Sequence, residues 1–399
     1  MILKKRNITV VTGNRSDYGH LFWILKEIQK SQKLHLQLIA TGQHISKNYG
    51  ETYKEILKDG FKILKKVDLQ LSDDSPLSRT QSMGKGLIQF AKVFHSLKSD
   101  ILLLLGDRYE IFIAAQAAMM ANIPIAHIHG GEITQGVIDE AIRHALTKMS
   151  HIHFVAAEAY RHRVIQLGES PNFVFLVGAP GLESYKKSPL LSRQEVECKL
   201  GLQLRSPLFL VTYHPLTLED KKERKGIFQL LRALNHFPDA HIIFTQHNSD
   251  PRSEIIEESI HRYIRNHSDR CMFFTSLGQS LYGSVLKNSD VLIGNSSSGI
   301  IEAPVLKKPT VNIGKRQEGR LKARSIIDCK ENETAIVSAI QKALSSDFQS
   351  QLKYTQSLYE IKDTSKKMCK ILENISLDHI LFKKFYDIKS VSSNLIGVP

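Results

Sequence analysis

The chain reads as an α/β protein of two Rossmann-like, doubly wound domains facing each other across a cleft. Three observations predict this. Short runs rich in Val, Ile and Leu alternate with longer amphipathic ones, the apolar runs end in glycine or polar clusters, and the series pauses after Val177 and begins again at Leu208. Strands alternating with helices build a parallel sheet covered on both faces, and 399 residues suffice for two cores.

In order along the chain, Asn7 to Thr12 is a strand that ends at Gly13, Leu21 to Lys30 is helical, and Leu34 to Ala40 is a strand that ends at Thr41-Gly42. Ile101 to Leu105, Ile123 to His127 and Phe173 to Val177 continue the first series. Ala179 to Pro207, with Pro180, Gly181, Pro189 and a Lys186-Lys187-Ser188 turn, reads as a connector holding a small helix. The second series runs through Leu208 to Tyr213, His241 to Thr245, Asp290 to Ile293 and Thr310 to Ile313. Ser357 to Phe385 is amphipathic and predicts a helix. The expected division is 1–178, 179–365 and a closing helix and tail over 366–399, with packing on its own domain and packing back on the first both open.

Composition narrows the class. The chain opens on MILKKRNITVVTG, passing from basic residues straight into a strand pattern without the apolar core of a leader. Its most apolar region, Ile111 to Ala126, is broken by Gln116, Asn122 and Pro124 and is too short for a bilayer span, so a cytoplasmic protein without a membrane partner is expected. Cys198, Cys271, Cys329 and Cys369 are scattered, as in a reduced protein without a cysteine-based zinc site. The 54 basic against 40 acidic residues give a net charge of +14. The basic residues fall in dispersed clusters such as Lys4-Lys5-Arg6, Lys65-Lys66 and Lys383-Lys384, and no groove-reading motif accompanies them, so a solvated surface is expected rather than nucleic-acid binding.

The stretch from Ile101 to Arg143 carries the densest chemistry. It delivers Asp107, Arg108, His127, His129, Glu132, Asp139 and Arg143 to strand ends and helix starts, where an open α/β sheet exposes side chains to a cleft. Taking a proton from an unactivated carbon needs a positioned base and returning one needs an acid, so titratable groups around one cavity make chemical sense. Asp107 could instead cap a helix while paired with Arg108. The HxH pairs His127/His129 and His151/His153 share strand faces but have no assured third ligand, so no metal is expected.

Two loops suit anions. Gly13 to Gly19 joins the first strand to the first helix, where free N–H groups and the helix dipole favour negative charge, and Arg15 could clamp a phosphate. The loop is not a GxGxxG fingerprint, so no dinucleotide is indicated; a plain turn capped by Ser16 or Asp17 is the alternative. Gly294-Asn295-Ser296-Ser297-Ser298-Gly299 is its counterpart in the second half, leading into a helix from Gly299 to about Leu306, and suits a diphosphate bound without a Walker lysine; a serine-capped turn is the alternative there. Glu302 lies within reach of a ribose, and Tyr282 could stack on a base or belong to the core.

The paired motifs GDR…HIHGGE…IDEAIRH and IGNSSSGIIE…NIGKRQ…GR, over roughly Ile8 to Asp328, resemble those of the hydrolysing UDP-N-acetylglucosamine 2-epimerases. The resemblance implies two domains like those of many nucleotide-sugar glycosyltransferases (the glycosyltransferase-B arrangement), with UDP in the cleft and neither metal nor cofactor. By motif, Arg15, Arg108, His214, Asn248, Ser296, Ser297 and Arg316 would contact UDP, with Glu302 on the ribose and Tyr282 against uracil. Asp107, His129, Glu132, Asp139, Arg143 and His214 would serve the sugar and the chemistry. The implied reaction expels UDP through a 2-acetamidoglucal, whose hydration gives the 2-epimeric free sugar. Relatives acting on plain UDP-N-acetylglucosamine often have glutamate where this chain has His129, which makes Glu132 a rival for proton transfer. The HIHGGE form with IDEAIRH resembles the branch acting on UDP-2,4-diacetamido-2,4,6-trideoxyglucose. A non-hydrolysing epimerase and a nucleotide-sugar glycosyltransferase of the same fold are the alternatives, and a dimer or tetramer is expected.

Overall fold

A computed structural model describes residues 5–47, 50–70, 75–215, 226–246 and 254–388. Two parallel sheets form, as expected. The first contains β1 (Arg6–Thr12), β2 (Leu34–Thr41), β3 (Ile63–Val67), β4 (Ile101–Leu105), β5 (Ile125–Ile128), β6 (Ile152–Val155) and β7 (Val174–Leu176), in the order β3-β2-β1-β4-β5-β6-β7. The second contains β8 (Leu208–Thr212), β9 (His241–Thr245), β10 (Cys271–Phe274), β11 (Val291–Gly294), β12 (Thr310–Ile313) and β13 (Ile326–Cys329), in the order β10-β9-β8-β11-β12-β13.

Each order reverses at one point, between β1 and β4 in the first sheet and between β8 and β11 in the second. At such a switch the loops leaving the two strands diverge to opposite faces and open a crevice beyond their carboxyl ends. The loops at these four strand ends begin at Gly13, Gly106, Tyr213 and Asn295. Both anion-suited loops and the GDR motif therefore stand at switch points.

Burial follows from this winding. Ile8, Val10, Ile101, Leu102, Leu103 and Ile125 are all fully buried, because helices cover both faces of their sheet. The second sheet has its own core around Phe209, Ile242, Phe244 and Val291. Gly294 has φ +135°, and a Cβ there would overlap the Thr212 carbonyl, so the β8–β11 switch depends on glycine.

Several predicted elements change form. The expected long closing helix is helical only over Thr364–Asn374, beginning after Asp363 at φ +58°. That helix crosses back to the first domain: Met368 and Leu372 join the cluster containing Ile8 and Leu21, and Thr364 donates to the Val177 carbonyl at 2.7 Å. The helix expected from Gly299 is one turn, Ser298–Ile301, followed by further turns before Pro309. The connector contains a 3-10 turn, Pro180–Glu183, and two short α-helices, Ser184–Lys187 and Arg193–Leu200. Strands β3, β6, β10 and β13 extend the sheets beyond the predicted strands. β3 carries Lys65 and Lys66 and so shows no clean apolar run, whereas β10 is a four-residue apolar run, Cys271 to Phe274, that is only half-buried beyond Cys271.

Candidate active site

The loop after β1 runs into the helix Arg15–Lys30. Asn14 caps it, accepting from the Asp17 amide at 2.9 Å and donating back to the Asp17 carboxyl at 2.8 Å. Neither Ser16 nor Asp17 is the cap; Asp17 is instead a buried partner of the cap. Burial pushes its carboxyl up to about 7 against the pull of Arg108.

After β4, Asp107 pairs with Arg143 rather than with Arg108, and Arg108 pairs with the fully buried Glu110 at 2.8 Å. After β5, His129 takes a left-handed backbone, φ +68°, a conformation that costs a non-glycine residue about 1–3 kcal/mol. This turn aims the ring so that Nδ1 meets Glu132 Oε1 at 2.6 Å. The other Glu132 oxygen lies 3.2 Å from Arg320 and 3.7 Å from Arg143. Burial works against the Glu132 charge, but His129, Arg320 and Arg143 outweigh it and hold the carboxyl well below its ordinary range.

Arg143 comes from the helix Asp139–Met149 and also donates to the His129 carbonyl at 3.2 Å and to Thr134 Oγ1 at 3.1 Å. Asp139 begins that helix. His127 is a buried fixture of the sheet: it bonds the Gly106 carbonyl at 2.7 Å, and burial drops it to about 3. His153 pairs with Glu169 at 3.0 Å. Among the described residues, no group of three His, Cys, Asp or Glu is arranged to hold a metal.

In the second domain, the His214 amide donates to Asn295 Oδ1 at 2.7 Å, and Asn295 Nδ2 returns a bond to the His214 carbonyl at 2.9 Å. This reciprocal pair ties the loops on either side of the switch. Arg316 donates to the Asn295 carbonyl at 3.1 Å. Tyr282 donates to Ser298 Oγ at 2.7 Å, which donates to Glu302 at 2.6 Å, so the tyrosine orients the carboxylate through a serine.

Between the domains lie two adjoining cavities. The larger, about 300 Å³, is lined by Arg15, His214, Tyr282, Ser296, Ser297, Glu302 and Arg316 among others. Arg15 is ion-paired with Glu55 there. The smaller, about 140 Å³, is lined by Asp107, Arg108, His129, Glu132, Asp139 and Arg143 among others. Arg108 thus stands with the second group, apart from the residues expected to hold UDP. Asn248 lies outside the described residues.

Three further side chains stand at the smaller cavity. Asp17 and His20 line the smaller cavity from the first helix, and Arg320 reaches it from the second domain, donating to the Ile133 carbonyl at 2.7 Å and to Thr134 at 3.1 Å. The position of Asp17 and His20 in the first turns after a switch-point strand is the one signal the sequence offers for them. Arg320 is the arginine of the closing GR in the second motif, but its partners are some 190 residues earlier, so the motif does not say what it meets.

Residues 26–373 match the family described as UDP-N-acetylglucosamine 2-epimerase. A Campylobacter jejuni protein named GDP/UDP-N,N'-diacetylbacillosamine 2-epimerase (hydrolyzing) is 40% identical over 97% of this chain and 100% of its own length. The Escherichia coli polysialic acid biosynthesis protein P7 is 37% identical over 98% and 99%. A crystal structure of UDP-GlcNAc 2-epimerase from Neisseria meningitidis bound to UDP-GlcNAc superposes with a TM-score of 0.75 over 92% of this chain and 99% of that one. At 17% identity, that likeness speaks for the fold alone.

Proposed function

The chain belongs to the UDP-N-acetylglucosamine 2-epimerase family, and from that premise we propose a division of labour between its two cavities. The protein is a hydrolysing UDP-sugar 2-epimerase: it expels UDP through a 2-acetamidoglucal and hydrates this to the free 2-epimeric sugar. One observation carries the proposed division: the nucleotide-suited and acid/base-suited cavities adjoin, sharing Ser16, His20, Ser297, Ile301 and Arg316.

In this reading the larger cavity holds UDP. Glu302, oriented by Ser298, accepts from the ribose hydroxyls, and Tyr282 lies beside the base. The serine loop, His214, Arg15 and Arg316 meet the diphosphate, whose charge grows as the C1–O bond breaks. The smaller cavity holds the sugar. His129 exchanges protons at C2, because Nδ1 is committed to Glu132 and the opposite ring nitrogen remains for the substrate. Glu132, whose oxygens face His129, Arg143 and Arg320, orients the ring as the acid of a triad orients its histidine. Asp107 and Asp139 supply carboxylates toward the rest of the sugar, and Asp107 also steadies Arg143.

For the substrate we propose UDP-2,4-diacetamido-2,4,6-trideoxyglucose. The HIHGGE motif and the name of the Campylobacter relative support it. A symmetric dimer or tetramer is the proposed assembly, read by light scattering.

Incubation with the UDP-sugar in deuterated water tests the function. Free UDP should appear with an equal amount of the 2-epimeric sugar carrying one deuterium at C2. A product still linked to UDP would favour the non-hydrolysing alternative. Comparing kcat/KM for this substrate and UDP-N-acetylglucosamine tests the substrate class.

A further inference from the structure

His20 stands where the two cavities meet. It lines both, its Nδ1 is buried without a hydrogen-bond partner, and its ring lies 6.2 Å from that of His129, centroid to centroid, at a 69° angle. The neighbouring chain is shaped around it: a Cβ on Gly181, which also lines the smaller cavity, would overlap His20 Nδ1. Nδ1 is packed against Gly181, while the ring lines both cavities, so Nε2 is the nitrogen that a ligand can meet.

With the nucleotide in one cavity and the sugar in the other, as proposed above, the seam is the position of the anomeric C1–O bond. Once UDP has left, that is where water must add. We infer that His20 is the general base for the hydration half-reaction, accepting a proton from the water whose oxygen bonds to C1 of the glycal. The C1=C2 π electrons move to C2, which takes a proton from the acid on the His129 side. The sum is glycal plus water giving free sugar, with no other reactant.

Two features favour this task over protonating the departing phosphate. Burial lowers the affinity of His20 for a proton, although Glu302 opposes the shift, so the ring is a neutral acceptor near neutral pH. Its setting between the two domains also keeps it beside the seam after the C1–O bond breaks.

The inference rests on the epimerase reading, and the test separates the two. Wild type, His20→Asn, His20→Ala and Gly181→Ala are supplied with UDP-sugar, and UDP, 2-acetamidoglucal and free sugar are each measured by proton NMR. In the variants, the ratio of glycal to free sugar should rise by at least about 10-fold, since general bases contribute about 10²–10⁴. Added imidazole should restore hydration in His20→Ala, and Gly181→Ala should shift the same ratio with His20 still present. An unchanged ratio, whether UDP release falls or not, overturns the role of His20. If wild type releases no UDP, the epimerase reading itself fails and the inference falls with it.

Discussion

Arg320 of the second domain lies 3.2 Å from the Glu132 carboxylate of the first, and that carboxylate accepts from His129 at 2.6 Å. The orientation of His129, the proposed proton carrier, is thus tied to a cation from the other domain. Arg316, four residues earlier, lines both cavities, so the 316–320 loop reaches both of the proposed sites.

Arg320→Ala should therefore lower kcat more than nucleotide affinity. A loss of about 10- to 100-fold in kcat is expected, the worth of a charge-assisted hydrogen bond. UDP affinity by calorimetry should move only a few fold, because Arg320 lines the smaller cavity alone. Equal losses in both would contradict the division of labour.

His129→Asn removes the proposed proton carrier, and kcat should drop by about 10²–10⁴. Glu132→Gln should also lose activity, and it should unfold more easily by about 3–5 kcal/mol, because buried Arg320 loses its carboxylate partner while Arg143 keeps Asp107. Urea unfolding of the two variants separates these effects: the second should be the less stable.

Glu302→Gln tests the ribose assignment. UDP should bind roughly 10- to 100-fold more weakly, consistent with losing a hydrogen bond to a charged group. The variant should also lose most of the wild-type preference for UDP over 2'-deoxy-UDP. Retained discrimination would move the ribose elsewhere.

Asp17 gives a pH signature. Its carboxyl is raised from 3.8 in the reference state to about 7 in the fold, so its contribution to stability is fully present below about pH 4. As pH rises toward 7, the unfolded chain releases its proton first and the folded state is penalised, by up to about 4 kcal/mol. Asp17→Asn escapes this. Its stability relative to wild type should climb between about pH 4 and about pH 7 in urea titrations and then level off; a flat difference would contradict the burial effect.

Much of the site was legible because Rossmann-like strands end where chemistry begins. Asp107, His129 and Ser296 each follow an apolar run within a few residues, so the motif and its place at a strand end could be read together. The division between the cavities was less legible: Arg108 sits next to Asp107 in sequence yet turns to Glu110, while Asp107 turns to Arg143. His20 was hidden for a similar reason, since apart from its place after a switch-point strand a lone histidine in an amphipathic helix has no motif that separates a cleft from a core.

By itself, the sequence determined what depends on local periodicity: two wound sheets, the loops at their strand ends and the residue types those loops carry. Tertiary structure alone decided which charges meet. Arg320 with Glu132, Glu55 with Arg15 and Gly181 with His20 are pairs separated by 40 to about 190 residues, brought together by tertiary packing, within the first domain for Glu55 and Arg15. Hydrogen bonding and desolvation act over a few ångströms, and no spacing along the chain records that distance.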